Sequence, residues 1–252
     1  MSKHSRANVP PAITLYDIPG PSPQPWAPNI WRVSTVWVEF PDVQSTLHSI
    51  GAPPSSVRSD GRPVYTLPVL VDPGMNPTSP TILSNPNTIS EYLESTYPSS
   101  PVFPPGSRAV QILFVHYIQE VFAKPLLPIM VPLSHQQLPG RSQDYLRPHG
   151  GLYSRSGSSG QPLPPGPQRE QAWLAVKEQF DFLASILSKN IGDGDGTVVM
   201  GYEVSYGDFA LCSVLIWIQR MSPNDGWPRI KSWNGGRWER LWERCRPYMS
   251  EH

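Results

Sequence analysis

Tyr65-Thr66-Leu67-Pro68-Val69-Leu70, followed by a helix start at Ser84-Asn85-Pro86, is the stretch from which the fold is read. A β-type run containing a proline, a turn-rich gap, and then Ile89, Tyr92 and Leu93 at helical spacing reads as strand, turn, strand edge and helix. Proline has no N–H for a sheet ladder, so Pro68 stands at a strand's first residue or edge, and its peptide bond is expected to be cis. Asn85 as cap with Pro86 at the first helical position is favoured start chemistry for a helix over Asn87 to Thr96. Taken alone, the stretch also fits an edge proline of no chemical meaning.

Working outward, Ile13 to Ile18 is expected to form the first strand and Thr35 to Phe40 the second. Between them, Pro19-Gly20-Pro21-Ser22-Pro23-Gln24-Pro25 can be neither helix nor strand. A parallel crossover needs a dozen or more residues, usually with a helix. Here the proline loop leaves only Asn29 to Ser34 for it, so the crossover helix is expected to be shortened, and the sheet near Tyr16 and Val36 partly uncovered. A lobe that lost the helix and a transcript lacking an exon are both consistent with this. A short helix is expected from Pro41 to Ile50, ended by Gly51-Ala52-Pro53-Pro54.

Residues 98–106 read as a linker, and residues 1–12 as a disordered lead-in. Beyond the linker only helical periodicity remains. Val110, Leu113, Phe114, Tyr117 and Val121 recur on one side, with Ile112, Val115, Ile118 and Phe122 filling the other. A helix apolar nearly all round is covered on several faces, by its own domain and a second subunit. Pro148 to Pro167 is rich in Gly, Ser and Pro and is expected to be flexible. Ala172, Trp173, Val176, Phe180, Leu183 and Leu187 mark another helix, and Ser205-Tyr206-Gly207-Asp208 a capped start for a third. The expected domains are therefore 13–97 and 107–252.

Composition narrows the function. The 252 residues hold 20 acidic and 20 basic side chains without a block of like charge, which gives no reason to expect nucleic acid or an anionic membrane as partner. The longest apolar run, Phe209 to Ile218, falls below the ~20 residues of a membrane span. Only Cys212 and Cys245 are present, too few for a disulfide framework, so a reducing, cytoplasmic setting is expected. The six histidines make no ligand spacing, and no metal site is expected.

Eight stretches, in order, resemble the glutathione S-transferases of the fungal Fua type, related to the bacterial β-etherase group: Ile13-Thr14-Leu15-Tyr16-Asp17-Ile18, Ala27-Pro28-Asn29-Ile30-Trp31, Trp37-Val38-Glu39-Phe40-Pro41-Asp42, Asp60-Gly61-Arg62-Pro63, Leu67-Pro68-Val69, Ile89-Ser90-Glu91-Tyr92-Leu93, Ser205-Tyr206-Gly207-Asp208-Phe209 and Trp233-Asn234-Gly235-Gly236-Arg237-Trp238. The resemblance implies an α/β thioredoxin-like N-terminal domain followed by an all-α C-terminal domain, with glutathione as co-substrate. It further implies that Leu67, before Pro68, pairs its main chain with the cysteinyl unit of glutathione, and that an acidic residue and a serine at a helix start hold the γ-glutamyl carboxylate.

Two positions depart from that pattern. The helix-start pair is Asn85 and Pro86, which removes a hydroxyl and an amide and leaves Ser84 and Asn85 to compensate. The serine that would stabilise the thiolate is Ala27, leaving Asn29 as the candidate donor, in competition with a capping role for the same residue. Weak glutathione binding follows, since each hydrogen bond lost to a charged group is worth ~1.5–3 kcal/mol. The expected function is transfer or isomerisation on a hydrophobic small molecule, in fungal secondary metabolism or detoxification. A non-catalytic binder of aromatic molecules, ligandin-like, is the alternative.

Overall fold

The computed structural model describes residues 12–20, 33–74, 79–99, 101–149, 161–190, 192 and 194–248. Ala27, Asn29 and the crossover between residues 21 and 32 lie outside the described residues, as do most of 148–167. The chain divides into two compact units, the first including residues 12–20, 33–74, 79–99 and 139–145, the second 101–138 and the described residues from 146 on.

In the first unit, β1 (Thr14–Asp17), β2 (Ser34–Trp37), β5 (Val69–Asp72) and β6 (Thr81–Leu83) form a mixed sheet in the order β2-β1-β5-β6. β1 pairs parallel with β2 and antiparallel with β5. The second strand ends earlier than the periodicity predicts, because Phe40-Pro41-Asp42 tightens into a 3₁₀ turn ahead of α1 (Val43–Ser49). A hairpin of β3 (Ser56–Val57) and β4 (Pro63–Val64) stands beside the sheet. The Leu67–Pro68 bond is cis and directly precedes β5.

The sheet's two faces are unequally covered. On one, Tyr16, Val69 and Val71 pack with Val38, Val43, Leu47, Ile50 and Ala52, so α1 seals it. On the other, Leu70 is fully buried with Ile89 and Leu93 of α2 (Pro86–Thr96), while Ile13, Leu15, Val33 and Leu83 are only partly covered. Alternation along β2 puts Trp37 on this second face, 41% exposed. The thin cover thus lies on the Leu15 and Trp37 side. Tyr16 is 7% exposed, which corrects the expectation of an open face there, although Val36 at the sheet edge is exposed.

Hydrogen bonds to the buried Asp72 hold α2 and the loop after β5. Asp72, at the end of β5, accepts hydrogen bonds from the hydroxyls of Tyr92 and Tyr97, each 2.8 Å, and from the Gly74 amide. Burial works against its charge, but these bonds outweigh it and hold the carboxyl below its usual range, while the Tyr97 hydroxyl is pushed up to about 12 chiefly by its bond to Asp72. From the segment 139–145, Arg141 forks onto Asp42 at 2.9 and 3.0 Å, and Ser142 donates to Glu39 while accepting from the Phe40 amide.

The second unit is helical: α3 (Arg108–Tyr117) running into a π turn (Ile118–Phe122), α4 (Leu127–Gln137), α6 (Pro167–Leu187), α7 (Tyr206–Met221), α8 (Gly226–Ser232) and α9 (Arg237–Cys245); α5 (Gly140–His149), between α4 and α6 in chain order, begins in the first unit. Residues 108–137 are helical almost throughout, a longer apolar helical run than the uninterrupted apolar stretches indicate. Pro125, Pro128 and Pro132 interrupt its composition, and α4 packs against α6 and α7. At the centre, Phe180 stacks on Phe122 at 4.7 Å and edge-on against Trp238 at 4.9 Å. α7 carries Leu211, Cys212, Leu215 and Ile218 at zero exposure. Cys212 and Cys245 are free thiols, both buried.

The start of α7 anchors this core. Ser205 and Asp208 form a capping box, with the Ser205 amide and hydroxyl donating to Asp208 Oδ2 at 2.9 and 2.8 Å and the Val199 amide to Oδ1 at 2.8 Å. Gln111 of α3 accepts from the Gly207 amide at 2.7 Å. A Cβ at Gly207 would stand 2.7 Å from that same Gln111 oxygen, which is why glycine sits there. The break between α8 and α9 explains Trp233-Asn234-Gly235-Gly236-Arg237-Trp238: residues 234–236 all have left-handed backbone, and Asn234 accepts from Trp238 Nε1 while donating to Asp181.

Replacing Asp208 by Ala strands the buried Ser205 amide and the partly buried Val199 amide, at ~1–3 kcal/mol each. Asp208→Ala is expected to lower unfolding free energy by about 3–5 kcal/mol, measured by urea denaturation; a loss below about 1 kcal/mol would show that the box is not an anchor.

Candidate functional site

Several segments of the first unit end at one edge of the sheet. Asp17 closes β1 beside Trp37 of the parallel β2, Val69 opens β5 opposite Tyr16, and Leu83 closes β6 opposite Leu70. The residues that continue past this edge are Ile18 to Gly20, Leu67-Pro68 and Ser84-Asn85. The carboxyl ends of parallel strands in an open sheet are where a ligand crevice forms. Sequence-predicted Leu67, Pro68, Ser84 and Asn85 are therefore brought together, whereas Asn29 lies outside the described residues.

Each contributes differently. Leu67 precedes the ladder, and among the described residues its amide and carbonyl take no backbone partner. That leaves one donor and one acceptor, the pair an extended peptide uses when it adds to a strand edge. Ser84 is half-buried and its hydroxyl makes no hydrogen bond among the described residues. Asn85 is exposed and is spent on the helix: its Oδ1 accepts from the Asn87 amide at 2.9 Å and the Thr88 amide at 3.3 Å. Pro86 contributes no N–H. Among the described residues, the Leu67 main chain is thus left open to an extended ligand, while the first amides of α2 are given to Asn85 rather than to an anion.

Sequence reasoning missed Asp17. Burial pushes its carboxyl up to about 6, against the pull of its 2.8 Å hydrogen bond from the Ile18 amide. It is an acid on this edge that exchanges its proton near neutrality, the behaviour expected of groups at functional sites. No sequence signal points to it, since the shift comes from what folds over the residue.

A thioredoxin-like mixed sheet with a cis-proline directly before β5, followed by an all-helical second unit, defines the glutathione-transferase fold. The family model for the glutathione S-transferase C-terminal domain matches residues 109–248, more than half of the chain, which therefore belongs to the glutathione S-transferases. A glutathione S-transferase of Ceriporiopsis subvermispora, solved in complex with glutathione, superposes with a TM-score of 0.81 at 33% identity, covering 95% of this chain and 98% of that one. Glutathione transferase GSTFuA3 from Phanerochaete chrysosporium superposes at 0.79 with 31% identity, covering 94% and 97%. Among curated proteins, the glutathione S-transferase-like protein ustS of Aspergillus flavus is 24% identical over 244 residues, covering 89% of this chain and 85% of its own.

A carboxyl raised in the folded state from ~3.9 to about 6 adds stability that is complete below pH ~4 and lost as pH rises through about 6. Asp17→Asn, which keeps the acceptor for Ile18, is expected to stabilise the protein at pH 7.5 by up to about 3 kcal/mol and to flatten its stability between pH 4 and 7. Denaturation curves across that range check this; an unchanged pH profile would contradict the assignment.

Proposed function

We propose that this chain binds a glutathione-type thiol weakly along the Leu67 edge and transfers it to, or isomerises with its help, a hydrophobic small molecule in fungal secondary metabolism or detoxification. The observation that carries this reading is that, among the described residues, the main chain of Leu67 beside Pro68 takes no backbone partner. Support comes from the similar Ceriporiopsis protein, whose structure holds glutathione, and from the similarity to ustS. Asn29, two residues after the Ala27 that stands where the family carries serine, is the proposed donor to the thiolate. The two buried free thiols accord with a reducing, cytoplasmic setting. A ligandin-like role is the second reading, favoured by the self-capped helix start, which weakens the hold on glutathione without touching an apolar ligand.

The chain is further proposed to work as a homodimer. In the second unit Val110 and Leu113 of α3 and Phe182 and Ile186 of α6 are exposed by 47–67%, and the Tyr117 ring lies 6.4 Å from that of Phe182, so the two helices share one apolar patch. Contiguous patches of this kind mark interaction surfaces.

Calorimetry with glutathione is expected to give a dissociation constant weaker than about 100 μM, or less than ~5.5 kcal/mol of binding; tighter binding would sink the weak-site reading. Light scattering is expected to give twice the 28.1 kDa chain mass, and Leu113→Glu with Phe182→Glu to halve it. A wild-type monomer at micromolar concentration would remove the dimer proposal.

A further inference from the structure

We infer that Asn85 occupies, with its own side chain, the place an anionic end group would take at the start of α2, so that the thiol ligand is read through its cysteinyl main chain and its γ-glutamyl carboxylate goes unread. This rests on the thiol-peptide reading above and names the ligand class for the same edge: cysteinyl peptides irrespective of what is attached to the cysteine nitrogen.

The argument is an accounting of amides. A helix start presents its first few N–H groups unpaired, and an anion is held there when those groups point at it. In α2 none of the helical ones is left. Pro86 has no N–H, the Asn87 and Thr88 amides both donate to Asn85 Oδ1, and the Ile89 amide makes the first helical bond to the Asn85 carbonyl at 2.8 Å. Among the described residues of this turn, what remains is neutral: the Ser84 hydroxyl and the exposed amide end of Asn85. Charge does not make up the difference, because residues 79–99 contain no lysine or arginine and do contain Glu91 and Glu94. Asp72, kept charged by its tyrosines, adds a further negative group to the same helix's packing. The Leu67 main chain is untouched by any of this, so recognition of the cysteinyl unit survives while discrimination at the far end of the ligand is lost.

The test compares glutathione with N-acetyl-cysteinylglycine, which keeps the cysteinyl main chain and lacks the γ-glutamyl carboxylate and ammonium. Calorimetry on the full chain is expected to give dissociation constants within about threefold of each other. Glutathione binding more than about tenfold tighter, ~1.4 kcal/mol, would overturn the inference and leave the thiol-peptide reading standing. Failure of both peptides to bind at about 10 mM, ~2.7 kcal/mol, would overturn that reading and the inference with it. Two variants read the mechanism. Asn85→Gly releases the Asn87 and Thr88 amides, and Pro86→Ser adds an amide and a hydroxyl. Either is expected to raise the preference for glutathione roughly tenfold, the lower end for one regained bond to a charged group, with binding of the acetylated dipeptide unchanged. Equal gains for both peptides, or no gain in either variant, would show that the helix start plays no part in selection.

Discussion

A proline at the head of β5 cannot donate to its neighbour, and the organisation of the first unit follows from that missing N–H. The ladder between β1 and β5 stops at Val69, so among the described residues the residue before the proline keeps its amide and carbonyl unspent at the end of the strand. Because β5 turns back into β6, and β6 leads directly into α2, the start of the helix arrives at the same edge. The parallel pair β1 and β2 ends there too, bringing Asp17 and Trp37. The strand ends proposed to take an extended ligand are thus where pairing has to end.

The molecule uses the same capping chemistry twice, to opposite effect. At α7, the box of Ser205 and Asp208 is buried, and its bonds join the helix start to the loop at Val199, with Gln111 of α3 taking the Gly207 amide. Burial raises what each bond is worth and what losing it costs, and also drives the Asp208 carboxyl up to about 6. At α2, Asn85 is exposed, and its cap stabilises the helix modestly. Its larger consequence is for binding, because an amide that donates to the cap is not available to a ligand. A residue favourable for the helix is unfavourable for an anion at the same end.

Uneven cover of the sheet bears on dynamics as well. Among the described residues, the α1 side buries eight residues into one cluster, whereas the α2 side closes fully over Leu70, Ile89 and Leu93. At roughly 25 cal/mol for each Å² of apolar surface removed from water, the second side contributes less to holding the sheet. It is also the side on which Asp17 and Trp37 stand, so the least tightly packed face of the first unit adjoins the candidate site.

Caps and the strand proline were legible in the sequence because each depends on residues within a few positions of one another. Asn85 before Pro86 and Ser205 three before Asp208 make their bonds where the chain places them, whereas the break at Asn234-Gly235-Gly236, equally local, was not read from the sequence. Leu67 and Pro68 belong to this group, as do the two thioredoxin-like and helical halves, whose periodicities of two and of 3.6 differ. Asp17 does not, since its raised pKa comes from the surroundings that bury it. Nor does the pairing of Arg141 with Asp42, 99 residues apart in the chain. The side of the sheet left thin was misread for the same reason: alternation says that Tyr16 and Leu15 point opposite ways, but only the packed positions of α1 and α2 decide which is covered. Local hydrogen bonding was written in the sequence, and burial was decided by tertiary structure, because burial is a property of neighbours that the chain brings together only when folded.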